Sequence, residues 1–527
     1  MPKLLRLNNF AQKGLNSDLM PWDLSGDYLT SLNNVRILTG KLSPFGGHEV
    51  WGDLPVDFDA GFLMAVNSTT GQFWIIAGLD KVYVYDGQDF FDISSTAGYI
   101  GLDTPDFWNG AMVSNIPIIN HPLHYPEYWP QQATGIQLEP LPWDDSNTWA
   151  DVSESARIIR SHKQFLFALD LQSGPDEISD GVRWSAPADI GGIPPTWDHL
   201  DITNVAGLTN LGGDGGRIID GLSLRDAFVV YRESGISIFD FAGGPFVWQI
   251  RHLSTYAGLI SPHAIVEVKG SHYFISDGDI LFNDGNTISS LLHNKLRKQF
   301  INEYDKDNFL NSYVVKNNVA TEIWFCVPKV GSLHPDLAYI YNWEDGSWSV
   351  RDIPESTFAA FGNQSQPPLT WGSFVGSWDS ALGGWNQGQF VLFDESIMSV
   401  TLPAGAGQRG QLLILDTNAP DPSFPFNTTL ERLSFALEGL NNVTTITRLY
   451  PHMRGPGTVN IEVGSQDHPG APIRWKAPVA FNADTDRKVD VRTTGELHSF
   501  RISSNSGVTG TWDISGFDIE YVNAGVR

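Results

Sequence analysis

Cysteine is all but missing from this chain of 527 residues, with Cys326 the single one. An internal disulfide is therefore excluded. Lying inside "EIWFCVP", Cys326 reads as a small buried hydrophobe, and folding in a reducing cytosol is the simple inference. The Asn-x-Ser/Thr matches at Asn67, Asn363, Asn427 and Asn442 are then chance. No apolar run reaches the roughly 18 residues that a membrane-spanning helix needs, so no stable membrane insertion is expected. The opening "MPKLLRLNNFAQKGLNSD" lacks the apolar core of a signal peptide. Basic residues are scarce as well, 33 against 60 acidic, for a formal charge of −27. Affinity for nucleic acid comes from neutralising phosphates, so this balance argues against a stable nucleic-acid binder. It fits either plain solubility or a surface that faces DNA without holding it.

Catalytic motifs are missing too. There is no Gly-x-Ser-x-Gly elbow and no Gly-x-x-x-x-Gly-Lys phosphate loop. "GGDGGR", 212–217, has the glycines of a phosphate cradle but no helix pattern after it, and reads as a flexible loop. His121 and His124 sit together in "HPLHYPEYWP", yet Pro122 opposes helical metal-ligand geometry and no third ligand is evident; they read as surface-loop histidines. Asp277, Asp279, Asn283 and Asp284 cluster in "DGDILFNDGN" without the pattern of a calcium loop, and two hairpin turns account for them. No catalytic residue, metal site or cofactor is expected.

What is plentiful is turn formers and tryptophan: Gly 52, Pro 31 and Trp 18 in a chain that is 41% hydrophobic. That balance favours an all-β fold with many turns. "KVYVYDGQDFFDIS", "DAFVVYRESGISIFDF", "SHYFISDGDILFNDG" and "AYIYNWEDGSWSVRDIP" each read as strand, tight polar turn, strand, with Gly87, Gly235, Gly278 and Gly346 supplying turn flexibility. In the last of them Ala338 and Ile340 fall on one face and Tyr339 and Tyr341 on the other. Two more candidates lie at 116–130 and at "SHKQFLFALD" leading into "GVRWSAPADIGGIPPTWD". Hairpin sheets at this spacing predict a β-propeller of about six blades over 51–404; a pair of β-sandwiches is the alternative. "SSLLHNKLRKQFINEYDKDN" predicts one amphipathic helix near 290–302, with Leu292, Leu296 and Phe300 on the buried face, Ser290 as N-cap, and Lys295, Arg297 and Lys298 on a solvated face. A Pro/Gly-rich linker is expected at 405–426. Short alternating segments over 427–527 predict a second, sandwich-like β-domain that serves as a platform, which residues 1–50 are expected to complete because chain termini often meet.

Several of these stretches together resemble the tail nozzle (tail tubular) proteins of short-tailed double-stranded DNA phages. "EIWFCVP" followed by "DLAYIYNWEDGSWSVRDIP" is similar to their strand-turn-strand segment, and "VRWSAPADIGGIPPTWD" to another blade edge. "VEVKGSHYFISDGDILFNDGNTISSLLHNKLRKQFI" is similar to their blade followed by a short helix, and "WDISGFDIEYVNAGVR" to their usual ending. The resemblance implies a structural protein of the virion tail, made in the host cytoplasm and assembled as a hexameric ring below the head-to-tail adaptor. Tail fibres or spikes are further implied partners, and genomic DNA would pass through the ring without tight binding. The family carries no catalytic residues; its signature here is packing, in Trp184, Trp197, Trp324, Trp343 and Trp348. Two other readings of these tryptophans stay open: a carbohydrate-binding receptor-recognition protein, and a propeller glycosidase. "NWEDGSW" resembles the Asp-box of sialidases only superficially, since Asp345 and Gly346 are adjacent.

Overall fold

Alternation along the strands decides the architecture. In 337–342 Ala338 and Ile340 enter one core while Tyr339 and Tyr341 enter another. A strand apolar on both faces needs a neighbour on each side, and a radial array of sheets supplies two. The computed structural model describes residues 2–526 apart from 9, 39, 69–71, 97, 100, 103–106, 244–246, 365–394, 418–426 and 505–511. Its described residues form an all-β protein, a β-propeller joined to a β-sandwich-like domain.

The propeller has seven four-stranded antiparallel blades. Their inner strands are, in order, Ala60–Asn67, Asn109–Val113, Glu154–His162, Ile218–Leu224, Ile265–Val268, Tyr313–Asn317 and Phe358–Asn363. The expectation of about six blades is one short. Each blade found from sequence is continuous in the chain, whereas the seventh is not. It takes Phe358–Asn363, Glu395–Val400 and Arg409–Thr417 from one end of the propeller segment and closes with Gly47–Val56 from the other. Neither expected boundary therefore stands. The closing strand begins before residue 51, and the expected linker at 405–426 contributes Arg409–Thr417, whereas 418–426 lie outside the described residues.

The second domain stacks two six-stranded sheets. One runs Val489–Gly495, Asn442–Arg454, Asp513–Val526, Lys41–Pro44, Val35–Leu38, with Lys3–Asn8 also on Asp513–Val526. The other runs Arg474–Trp475, Thr458–Gln466, Leu497–Ser504, Thr428–Phe435, Ser31–Asn33, with Val479–Asn482 on Thr458–Gln466. Both sheets thus take strands from the N-terminal segment. Phe10, Phe500 and Phe517 meet between them, with centroids 4.9–5.5 Å apart. The domain covers the outer strand of blade six, Trp348–Asp352: the Asn34 N–H donates to the Val350 carbonyl (2.8 Å) and the Asp352 N–H to Asn34 Oδ1 (2.8 Å). An edge that could pair with a foreign strand is thereby closed.

The helix is shorter than expected. Leu292, Leu296 and Phe300 are all fully buried, but Asn294 lies at φ 56° and only Arg297–Glu303 is α-helical, here α1. Ser290 Oγ accepts the His293 N–H (3.0 Å) and so caps the preceding turn. The cap of α1 comes from Asp18, whose carboxylate accepts the N–H groups of Arg297 (3.1 Å) and Lys298 (3.0 Å). No helix among the described residues is long and apolar enough to cross a membrane.

Candidate functional site: the axis of the propeller

Seven inner strands run side by side around an axis, and ligand sites of propellers gather where such strands begin or end. At the end where they begin, side chains from across the ring meet. Arg160 of blade three donates to Asp220 Oδ2 of blade four (2.7 Å) and to the Gly110 carbonyl of blade two (3.1 Å). His263, just ahead of blade five, donates its backbone N–H to the same Asp220 oxygen (3.1 Å). Its Nε2–H reaches across the axis to the Trp108 carbonyl, ahead of blade two, at 2.9 Å. Phe358 of blade seven packs on the His263 ring at 4.8 Å, on Phe62 of blade one at 5.3 Å and on Tyr313 of blade six at 5.5 Å. Groups from all seven blades close the axis at this level.

The chemistry of the cluster is spent on holding it together. Burial, helped by the neighbouring Arg160 guanidinium, pulls the His263 imidazole down to about 4, so the ring is neutral near pH 7. Asp220 is the one carboxylate of the cluster, and its oxygens already accept from Arg160, His263 and the Gly221 N–H (2.7 Å). Glycoside hydrolysis uses two carboxyl groups about 5–9.5 Å apart, one of them able to give up a proton. Among the described residues, Asp220 has no second carboxyl group beside it in this cluster.

The other sequence candidates resolve similarly. The "GGDGGR" loop wraps a cation: Arg232 donates to the carbonyls of Gly212 (2.6 Å) and Gly216 (2.9 Å). A phosphate would need inward N–H groups, and a Cβ at Gly215 would lie 2.8 Å from that guanidinium. His121 is fully buried against Trp108 (5.2 Å), which corrects its reading as a surface-loop histidine. Proline-flanked backbone folds the loop inward, and Leu123 N–H donates to its Nδ1 at 3.2 Å. Asp279 accepts from Ile280 N–H and Ser290 Oγ (both 2.8 Å), and Asp284 from Asn286 and Thr287 N–H, so these groups make turns. Among the described residues no three metal-ligating side chains gather.

The five tryptophans occupy separate places. Trp197 packs edge-on to Trp149 (5.0 Å) in the core between blades two and three. Trp324 fills the core between blades six and seven and donates its indole N–H to Glu322 (3.0 Å). Trp348 is fully buried where blade six meets the platform domain, near Tyr341 at 5.0 Å. Trp343 is half-buried against that same core. Trp184 lies over Gly207, half-buried, and donates to the Val205 carbonyl (2.9 Å). They do not share one exposed plane.

Sequence reading missed the junction between the domains. Arg36 of the platform pairs with Glu322 of blade six (2.6 and 2.9 Å) and with Asp416 of blade seven. Fully buried Arg351 donates to the Gly46 carbonyl (2.8 Å), and both guanidiniums lie over the Phe45 ring, at 4.6 and 5.1 Å. Burial pulls Arg351 down to about 10, with Asp416 opposing. No local pattern could have revealed this cluster, since its members come from four distant segments. Also unforeseen is a groove of about 580 Å³ along blades four and five, where half-exposed Phe241 is rimmed by Lys163, Arg251 and Asp240.

No family model matches the chain and no curated protein matches it. Solved structures similar to it include the AfRom2 CNH domain, 8% identical over 70% of this chain and 99% of that one, with a TM-score of 0.37. PorZ, a surface component of the type-IX secretion system of Porphyromonas gingivalis, is 12% identical over 83% of this chain and 47% of its own, with a TM-score of 0.33. An exo-β-1,3-galactanase from Phanerochaete chrysosporium is 10% identical over 90% of this chain and 100% of that one, with a TM-score of 0.27. Likenesses this distant do not bear on activity.

Proposed function

We propose that this chain is a non-enzymatic structural protein that assembles with copies of itself into a ring. In this reading the ring is the tail nozzle of a short-tailed phage, below the head-to-tail adaptor, with fibres or spikes as further neighbours. Genomic DNA passes through the lumen between copies during ejection. The observation that carries the reading is the propeller axis at the level of Arg160, Asp220 and His263, where groups from seven blades meet and, among the described residues, the polar ones bond to one another. The excess of 60 acidic over 33 basic residues supports a wall that repels phosphates and gains nothing from counterion release. Duplex DNA titrated onto the purified protein at low salt should bind weakly or not at all. Tight binding that weakens steeply with added salt would contradict the proposal.

A carbohydrate-binding role is the second reading, and the groove beside Phe241 favours it, since an exposed ring with a polar rim suits a sugar face. A glycan array separates the two: binding abolished by Phe241→Ala would support the receptor reading.

A further inference from the structure

The groove of about 580 Å³ beside Phe241 is walled by turns of three blades, all at the end of the propeller where the inner strands finish. Lys163 comes from the first turn of blade three, and Arg225 and Asp226 from the first turn of blade four. Asp284, Gly285 and Asn286 come from the last turn of blade five. Asp240, Phe241 and Arg251 belong to the two outer strands of blade four. Cross-blade hydrogen bonds fix these walls. Arg225 Nε donates to the Gly270 carbonyl (3.0 Å) and Arg251 Nη2 to the Gly285 carbonyl (3.0 Å), both of blade five. Gly285 lies at φ 90°, and a Cβ there would come within 3.0 Å of Leu224 Cδ2, so the turn rests directly on the floor of the groove. Walls held in this way need no ordering when a ligand enters.

The charges of the groove balance. Lys163, Arg225 and Arg251 stand against Asp226, Asp240 and Asp284. Arg251 Nε donates to Asp240 (2.8 Å), and Lys163 Nζ lies 3.5 Å from Asp226. Asp284 accepts the N–H groups of Thr287 (2.6 Å) and Asn286 (2.8 Å), which hold its carboxyl below the ordinary carboxylate range. An anionic ligand would meet three carboxylates, and a cationic one three cations. Arginine carries more N–H donors, and a carboxylate more lone pairs, than these bonds use, so each pair keeps donors and acceptors side by side. A hydroxyl is the neutral group that accepts from one and donates to the other at once. The exposed apolar surface beside the pairs is Phe241, at 46%, with Lys163 Nζ 4.7 Å from its ring centroid.

We infer that the groove is a binding site for neutral saccharides. The Arg251–Asp240 and Lys163–Asp226 pairs take the ligand's hydroxyls, and Phe241 takes an apolar C–H face of its ring. The inference rests on the carbohydrate reading above and names the class of sugar. The formal charge of −27 acts in the same direction, because the molecule as a whole repels a polyanionic glycan before it reaches the groove. The groove shares no residue with the axial cluster or with the junction between the domains, so it is compatible with a ring.

The test puts the full chain on an array of neutral oligosaccharides (hexose and N-acetylhexosamine chains) and acidic ones (uronate- and sialate-bearing). Calorimetric titration of the best neutral binder follows, at low and at high salt. Two variants accompany the parent, Phe241→Ala and Asp240→Asn. Phe241→Ala loses a contact with Trp248 (5.4 Å) and should lower the melting temperature somewhat. Half-exposed Asp240 loses only its charge, so Asp240→Asn should melt as the parent does. Neutral chains should bind the parent with an affinity that changes little with salt. Asp240→Asn should weaken that binding about tenfold, the usual loss when a hydrogen bond to a charged group goes, and Phe241→Ala should weaken it too. Acidic chains bound as well as the neutral ones, or better, would overturn the neutral class and leave the carbohydrate reading standing. Neutral binding that neither variant weakens would overturn the groove as its site, again without touching that reading. An array with no bound glycan at all would overturn the site and the carbohydrate reading together.

Discussion

At the scale of single residues, Trp348 shows what most of the aromatic display is for. Its ring is fully buried, and its backbone nitrogen would lie 2.6 Å from a Cβ at Gly14, a position held at φ 82°. Strand, tryptophan and glycine therefore fit one another across the domain junction. Trp348→Ala should cost about 3–5 kcal/mol in a thermal or denaturant melt. A change near zero would mean that the ring serves a surface. Buried histidines set the acid limit. In blade five His272 donates Nε2–H to the Ser223 carbonyl (2.9 Å), and its Nδ1 accepts from Tyr231 (2.8 Å). His498 bridges the two platform sheets through Thr444 (2.7 Å). Burial lowers both from the ordinary 6.5 to about 4. Between those values the unfolded chain binds a proton at each imidazole and the folded chain does not. Stability is thus full above pH 6.5 and falls as the pH drops towards 4, by of the order of 3 kcal/mol per group. His272→Gln should flatten the fall in melting temperature between pH 7 and pH 4.5; an unchanged slope would contradict it. The alternation of Tyr339 and Tyr341 against Ala338 and Ile340 was legible in sequence because period-two patterning is local. The Arg36–Glu322–Asp416 cluster was not, because ion pairs between distant segments leave no periodic trace.

At the scale of elements, the legible ones are those continuous in the chain. Six blades announce themselves by an apolar strand, a tight polar turn and a second apolar strand. Blade seven hides because its outer strand, Gly47–Val56, precedes the rest by some three hundred residues. Closing the circle with the two ends of the propeller segment ties the array shut, and it brings the N-terminal segment within reach of the platform sheets. The helix near 290–302 is legible as an apolar stripe, but its start is not: Asn294 interrupts it and Asp18, far away in sequence, caps what remains. Asp18→Ala should therefore cost about 1 kcal/mol, the usual worth of an N-cap. Ser290→Ala should leave amide-exchange protection within α1 unchanged. Loss of that protection on replacing Ser290, and not Asp18, would reverse the assignment.

For the whole molecule, architecture follows from turn and strand patterning, while function rests on what the closed axis and the charge leave possible. With side chains of seven blades meeting across one level of the axis, the proposed conduit would lie between copies. Sequence suggested the ring only through resemblance, because no residue pattern reports symmetry. The most direct measurement is a cryo-EM reconstruction of the purified, assembled chain. A closed ring is predicted, with an acidic lumen wider than a duplex (about 20 Å across the phosphates, against a major groove of about 12 Å) and with Lys295, Arg297 and Lys298 away from it. Dispersed single discs, or a ring whose lumen is rimmed by those three basic residues, would contradict the account.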